Sequence, residues 1–564
     1  MTYCKCLYLF SLHLDLFPIF VVNSTQKREF YTDKMDISII IVNYNVKHFL
    51  EQCILSIKKA VKEMQVEIII VDNNSVDGSQ QVLREKFDNE VVLIENKDNP
   101  GFSKANNQGI KIAKGKYILF LNPDTVIEEN TLKVCWDFME SHADAGALGV
   151  KMIDGTGQFL PESKRALPTP WVSFYKIFGF AALFPKSKTF AKYHLTYLDK
   201  NENHAIEILS GAFMFMKKEL LDNIGYWDED FFMYGEDIDL SYRVLLAGFQ
   251  NYYLADTQII HYKGESTKKG SLNYVKVFYQ AMIIFAKKHF AGNMQRSFIF
   301  MIQVAVYVRA FGALLFRFFQ HFGFPLTEGL LFYAAIYGIK EYWEHNIKFV
   351  EGGKYPLTFD LLAAPIYATI FVVFLWFAGA YKKPYKIRPI ITSTFSAFVA
   401  IATVSFVFSY INYSRAIVGL SSIFSMLIAF TTRGVINLRN KGSFFFTETS
   451  KKRIILAGNK ENLPRIIHFL QDEPEYPLEI VGIVTNQPQK SNEKPSPNIN
   501  LPETLGDLSQ LSEIIRFYGI NEVIFCNKSL STEKIIGIMA ENQQEFIEYK
   551  IVPPDADYIV GPQF

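Results

Sequence analysis

Cysteine is scarce. Five residues in 564, Cys4, Cys6, Cys53, Cys135 and Cys526, fall at no metal-ligand spacing. An odd, scattered set excludes a disulfide framework and fits a reducing compartment. Neither sign of charge dominates, with 58 Lys and Arg against 57 Asp and Glu, so nothing global calls for a nucleic-acid partner. A clean leader is also missing. The apolar stretch from Leu7 to Val22 is broken by His13, Asp15 and Pro18 and preceded by Lys5 alone. Because Met35 stands directly before a strand, residues 1–34 are expected to be a non-native or disordered extension. What abounds is aromatic, at 15%, and apolar, with the apolar residues crowded into 297–433. A chain of this length divides into about two to four structural units.

The β-branched runs Ile37–Val42 and Val66–Val71, with a helical pattern over Lys47–Val61 between them, predict a βαβ unit. Further strands are expected at Val91–Glu95 and Tyr117–Leu121, so residues 36–290 read as an α/β domain with a mainly parallel sheet. Ligands of such sheets sit beyond the carboxyl ends of the strands. There the chain places Asn43-Tyr44-Asn45, Asp72-Asn73-Asn74 and Asn122-Pro123-Asp124.

A membrane region is expected over 297–433, with spans Phe359–Ala380, Ile390–Ile411 and Arg415–Thr432 of roughly the required 20 residues. Of Ser297–Phe319 and Leu326–Trp343, one is expected to span and the other to lie in the interface. An arginine at mid-span costs at least ~2.5 kcal/mol, and Arg309 and Arg317 interrupt the first segment. Glu328 and Lys340 bound the second. Lys382, Lys383, Lys386 and Arg388 mark a cytoplasmic loop, whereas Asn412–Ser414 is a neutral hairpin. Residues 451–564 alternate strand and helix as a smaller Rossmann-like domain. Its first turn, Ala457-Gly458-Asn459-Lys460-Glu461, lacks the spaced glycines of a pyrophosphate site.

Asp124 follows an apolar strand and can hold Mg2+ or Mn2+ against a diphosphate, although Asn, Pro and Asp also suit an ordinary turn. Glu236, Asp237 and Asp239 open a helix, as caps or as a general base. His261 ends another apolar run, as a structural histidine or a metal ligand.

SIIIVNYN from Ser38, VDNNSVDGS from Val71, NPGFSKANNQGI from Asn99, FLNPDT from Phe120, SGAF from Ser210 and GEDIDLSYR from Gly235 together resemble glycosyltransferase family 2, in particular its rhamnosyltransferase-like members. The resemblance covers about Asp36 to Phe290. It implies an α/β GT-A fold, inversion at the anomeric carbon, a divalent metal ion as cofactor and a nucleotide-sugar donor. It further implies Asp237 as base, with Glu236 and Asp239 competing. Asp124 and His261 would be metal ligands, and Asn43, Asn45, Asp72, Asn74, Asn106, Asn122, Arg165, Ser210 and Gly211 would contact the donor. One departure stands out, because Asn122 replaces the first acid of the family's acidic-x-acidic metal motif. The Gln-x-x-Arg-Trp signature of processive synthases is absent, which favours single addition.

From about Phe359 onward, WFAGAYKKPYKIRP from Trp376, RIILAG from Arg453 and ETLGDLSQLSEIIRFYGINEVIF from Glu503 resemble the membrane and Rossmann-like parts of polyprenyl glycosylphosphotransferases. Their catalytic domain has no counterpart in these residues, and that activity is not expected. The expectation is therefore a multi-pass enzyme of the inner (cytoplasmic) membrane, with both α/β domains facing the cytoplasm. Its partners would be membrane lipid, a nucleotide-sugar donor and a polyprenyl-diphosphate-linked glycan acceptor, with no nucleic acid. The alternative is an inactive scaffold docking other glycan-assembly proteins.

Overall fold

The computed structural model describes residues 35–263, 272–407, 413–441, 444, 451–458, 463–472, 478–485, 502–526, 530–542, 547–554, 556 and 558–562. The expectations for residues 1–34, for Asn412 and for Asn459 to Glu461 lie outside them.

The first unit is a nine-stranded mixed sheet of β1 (Ile37–Asn43), β2 (Val66–Asp72), β3 (Val92–Glu95), β4 (Tyr117–Leu121), β5 (Thr125–Ile127), β6 (Ala145–Ile153), β7 (His204–Ile206), β8 (Phe213–Lys217) and β9 (Gln250–His261). Its order is β3-β2-β1-β4-β8-β6-β9-β5, with β7 paired to β9. Every residue of β1 and β4 is buried, as expected of interior parallel strands covered by helices on both faces. The parallel half was legible as continuous apolar runs. The antiparallel half, β8 against β4 and β6 and β5 against β9, was not read from sequence.

The membrane region corrects one expectation. Ser297–Phe319 and Leu326–Trp343 are a single helix, Gly292–Trp343, of 52 residues running through Pro325. Membrane helices tolerate such a proline because neighbouring groups take up the freed backbone positions. Glu328 and Lys340 do not bound a span either. Glu328 forms a fully buried bidentate pair with Arg433, at 2.5 and 3.2 Å, and Lys340 lies among Glu341, Glu344 and Asp360. Charges are expensive in a bilayer singly, and pairing inside the bundle removes most of that cost. Four helices are long and apolar enough to cross a membrane: Phe311–Lys348, Phe359–Phe377, Ile387–Phe406 and Arg415–Arg439.

The last unit is a five-stranded, all-parallel sheet of β10 (Lys452–Ala457), β11 (Leu478–Thr485), β12 (Thr504–Asp507), β13 (Glu522–Cys526) and β14 (Glu548–Val552), in the order β12-β11-β10-β13-β14. This is the Rossmann-like arrangement expected. The unit docks on the first one. Val126, Ile260 and Tyr262 share a buried cluster with Ile535, Ile536 and Met539. The Glu129 carboxylate accepts from the amides of Thr532 and Glu533 at 2.6 and 2.9 Å, capping the helix Thr532–Glu541 from the other unit. Gly157, at φ 80°, is required where it stands, since a Cβ there would collide with the Met539 carbonyl oxygen.

Candidate active site

Strand pairing sends two polar groups to one edge of the first sheet, and a turn before a helix brings a third beside them. The β1–β2 register sets Asn43 beside Asp72, and the β4–β8 register sets Leu121 beside Phe213, so residues 122–124 leave where 210–212 arrive.

In the first group, Asn43 Nδ2 donates to Asp72 Oδ2 at 2.7 Å. Oδ1 of Asp72 accepts from the Ser75 amide at 2.9 Å and from Gln80 Nε2 at 2.6 Å. Asp72 is fully buried, so this carboxylate forms the floor of the edge with its hydrogen bonds internal. Asn43 Oδ1 is the acceptor left over, buried without a partner among the described residues. Asn45 and Asn74 adopt left-handed φ of 55° and 62°, which asparagine tolerates, and Asn74 is exposed at the rim. Asn106 is buried and donates to the Phe102 carbonyl within its own helix. Sequence reasoning passed over Ser75 and Gln80. Their signal was position, directly after the Asp72 strand end.

The second group is Asn122, Asp124 and His261. Antiparallel pairing sets Thr125 opposite His261, and the Tyr262 amide donates to the Asp124 carbonyl at 3.0 Å. Asp124 Oδ1 thereby lies 3.4 Å from His261 Nε2, which is also 3.4 Å from Asn122 Nδ2. Both Asp124 and His261 are buried, and His261 Nδ1 has no hydrogen-bond partner among the described residues. Metal bonds of about 2.1 Å put neighbouring ligands roughly 3.0–3.4 Å apart, so this oxygen and nitrogen fit a shared cation. Among the described residues no third His, Cys, Asp or Glu completes a cluster. A Mg2+ or Mn2+ ion held by these two ligands would have further positions open for phosphate oxygens and water.

The third group surrounds Asp237. Tyr234 and Gly235 both take left-handed φ, 68° and 83°, in a turn that delivers Glu236 and Asp237 to the start of the helix Glu236–Leu246. Arg165 donates to Asp237 Oδ2 at 2.5 Å and also to the Leu209 carbonyl, while the amide of Gly211 lies 3.3 Å from the same carboxylate oxygen. Ser210 Oγ accepts from the Ala212 amide at 3.4 Å. Burial works against the Arg165 charge, but Asp237 beside it more than compensates and holds the guanidinium protonated. Burial, and then the Asp237 charge, push the Glu236 carboxyl well above the carboxylate range. Asp239 faces the other way, toward Arg243, Lys288 and His289 at 2.6–2.8 Å. Burial raises its pKa, yet these partners, led by His289, lower it to about 2. Of the three competing acids, Asp237 alone therefore combines partial exposure with a place in the cleft. Glu162, which sequence reasoning did not single out, pairs with Lys263 and lies near His261 and Arg165.

Residues 38–225 match the family described as Glycosyl transferase family 2. This stretch belongs to that family. The transferase also matches, over residues 380–553, a family described as a CoA-binding domain. It is 24% identical over 265 residues to an N-acetylglucosaminyl-diphospho-decaprenol L-rhamnosyltransferase of Mycobacterium tuberculosis, covering 45% of this chain and 85% of that protein. It is likewise 24% identical over 230 residues to a poly-beta-1,6-N-acetyl-D-glucosamine synthase of Staphylococcus aureus, covering 40% of this chain and 50% of the relative. Among solved structures, S. aureus TarS 1-349 aligns at a TM-score of 0.34 and 18% identity over 72% of this chain and 92% of that one. The chain is thus a glycosyltransferase with a GT-A-like catalytic domain, candidate membrane helices and a Rossmann-like domain.

Proposed function

We propose that the transferase moves a sugar, with inversion, from a nucleotide sugar to a hydroxyl of a polyprenyl-diphosphate-linked saccharide at the cytoplasmic face of the inner membrane. The observation that carries this reading is the convergence of Asp124–His261 and Arg165–Asp237 on one edge of the sheet. The relative named for rhamnose transfer to a decaprenyl-linked amino sugar supports the acceptor class and suggests rhamnose. Lys382, Lys383, Lys386 and Arg388, the last in the first turn of helix Ile387–Val407, support the orientation.

In this reading Asn43, Asn45 and Asn74 receive the nucleotide over a floor fixed by Asp72. Asp124 and His261 would hold Mg2+ or Mn2+, whose chemistry there is to neutralise the departing diphosphate. Asp237 takes the proton of the acceptor hydroxyl as its oxygen bonds to the anomeric carbon, and the bond to the diphosphate oxygen breaks with the electron pair leaving on the nucleotide. Arg165, donating to Asp237 Oδ2 at 2.5 Å, aims that carboxylate before the transfer. Glu236 beside it has its carboxyl pushed upward by burial and by the Asp237 charge, so it competes weakly for that role.

Purified full-length protein in lipid nanodiscs, supplied with a lipid-linked acceptor and a panel of nucleotide sugars, tests this. Metal-stimulated release of nucleoside diphosphate coupled to growth of the acceptor is expected for one donor. Absence of transfer across the panel, with intact folding, would favour a scaffold.

A further inference from the structure

From Ser163 to Leu198 the chain has no acid, while Lys164, Arg165, Lys176, Lys186, Lys188 and Lys192 carry positive charge in a protein otherwise balanced to +1. Its centre forms two short helices, Pro170–Ile177 and Phe180–Leu183. Ring contacts among Phe174, Tyr175, Phe178, Phe180 and Phe190, at 4.6–6.2 Å, bind them together. The outer face of this unit is not covered. Trp171 is 64% exposed, Leu183 71% and Phe184 51%, with Lys186 and Lys188 exposed beside them. A water-soluble surface seldom leaves such a patch open.

The position of the patch says what covers it. Leu167 packs with Phe298 and Ile302 near the start of helix Gly292–Trp343, and helix Pro170–Ile177 lies against that same helix. The candidate span begins at Phe311, nine residues beyond Ile302 or about 13 Å along the axis. Tyr307 and Val308 are exposed on the way, and Phe300 just before it. The apolar face therefore lies beside the stretch of helix that leads into the first candidate span.

We infer that residues 170–190 seat in the interface of an anionic bilayer, with Trp171, Leu183 and Phe184 at the acyl boundary and Lys186 and Lys188 against lipid phosphates. The segment starts just after Arg165 and ends just before Tyr193, which lies beside Arg165. Seating it brings the Arg165–Asp237 side of the cleft to the membrane surface, where a lipid-linked acceptor presents its sugar. Only this last consequence rests on the function proposed above.

The test uses full-length protein in nanodiscs of mixed anionic and zwitterionic phospholipid, comparing tryptophan emission of wild type and Trp171→Phe. The difference signal isolates Trp171 from the membrane residues Trp343 and Trp376. Lipids brominated near the headgroup should quench it at least two-fold and aqueous iodide should not; quenching by iodide alone overturns the seating. Replacing the anionic lipid, or introducing Lys186→Glu with Lys188→Glu, should weaken the lipid quenching, and indifference to both overturns the charge component. The readout needs neither donor nor acceptor. Lipid quenching without any sugar transfer leaves the seating intact and removes the proposed function, and transfer without quenching does the reverse.

Discussion

The two α/β units both build on a parallel sheet core, mixed with antiparallel strands in the first and all parallel in the second, and they differ at one edge. In the first, the carboxyl ends of the strands and the turns beside them carry Asp72, Asp124 and Asp237, the first two placed by pairing across the sheet and the third by the turn before helix Glu236–Leu246. In the second, the described strand ends are Ala457, Thr485, Asp507, Cys526 and Val552. Asp507, the one carboxylate, is consumed as a cap on the amide of Ser509. Its charges gather at the opposite edge, where Glu522 lies 2.9 Å from Lys452 and 3.2 Å from Lys550. Side chains and not topology make a site.

The strongest way to break this comparison is Asp237→Asn, which keeps size and most hydrogen bonding while removing basicity. Turnover should fall by roughly 10²–10⁴-fold with donor KM little changed. A variant keeping more than about a tenth of wild-type turnover assigns the base elsewhere, with Glu236 next to test.

Asp124→Ala should abolish metal-stimulated turnover. His261→Ala should raise the metal concentration for half-maximal rate by about 10–100-fold, the range seen when support of a metal site is lost. Undiminished wild-type activity in chelator would mean a metal-independent site.

Gly157→Val sharpens the comparison from the docking side. It should lift the helix Thr532–Glu541 off the β6–β9 edge and loosen the strand pair that bears Asp124 and His261. The half-maximal metal concentration should then rise about 3–10-fold, with turnover at saturating metal within about two-fold of wild type. Loss of turnover at every metal concentration would indicate general unfolding instead.

A smaller effect concerns pH. Glu128, buried near the junction, has its carboxyl pushed up to about 7, by burial first and with Glu533 adding, against hydrogen bonds from Gln258 and Thr257. The folded protein keeps this proton where the unfolded chain, at 4.5, has released it, so stability falls as pH rises from 4.5 to about 7. On the order of 3 kcal/mol is involved. Glu128→Gln should narrow the melting-temperature difference between pH 5 and pH 8 by a few degrees; an unchanged difference would place the titration elsewhere. The smallest expected effect is none at all. Coenzyme A or a nicotinamide dinucleotide added to the full-length protein should leave its melting temperature unmoved, since the first turn of the second unit carries Gly458 alone. A saturable rise would give that edge a ligand after all.

Sequence by itself determined the elements whose signal is local. Ile37–Asn43 and Val66–Asp72 were legible because interior parallel strands are continuous apolar runs, and the membrane region because a span must be apolar over its length. The polar residues that end those strands were legible for the same reason, each announced by the run before it. Only the tertiary structure decided which of them meet. Asn122 and His261 are 139 positions apart, Arg165 and Asp237 are 72, and Glu328 and Arg433 are 105. Antiparallel pairing brings the first pair together, a turn and helix start set Asp237 against Arg165, and helix packing joins the third. Arg165 carried no local mark of its role, and Glu328 and Lys340 read as span limits because a lone charge is costly in lipid. Partners distant in sequence reverse that reading, and no local pattern records who the partner is.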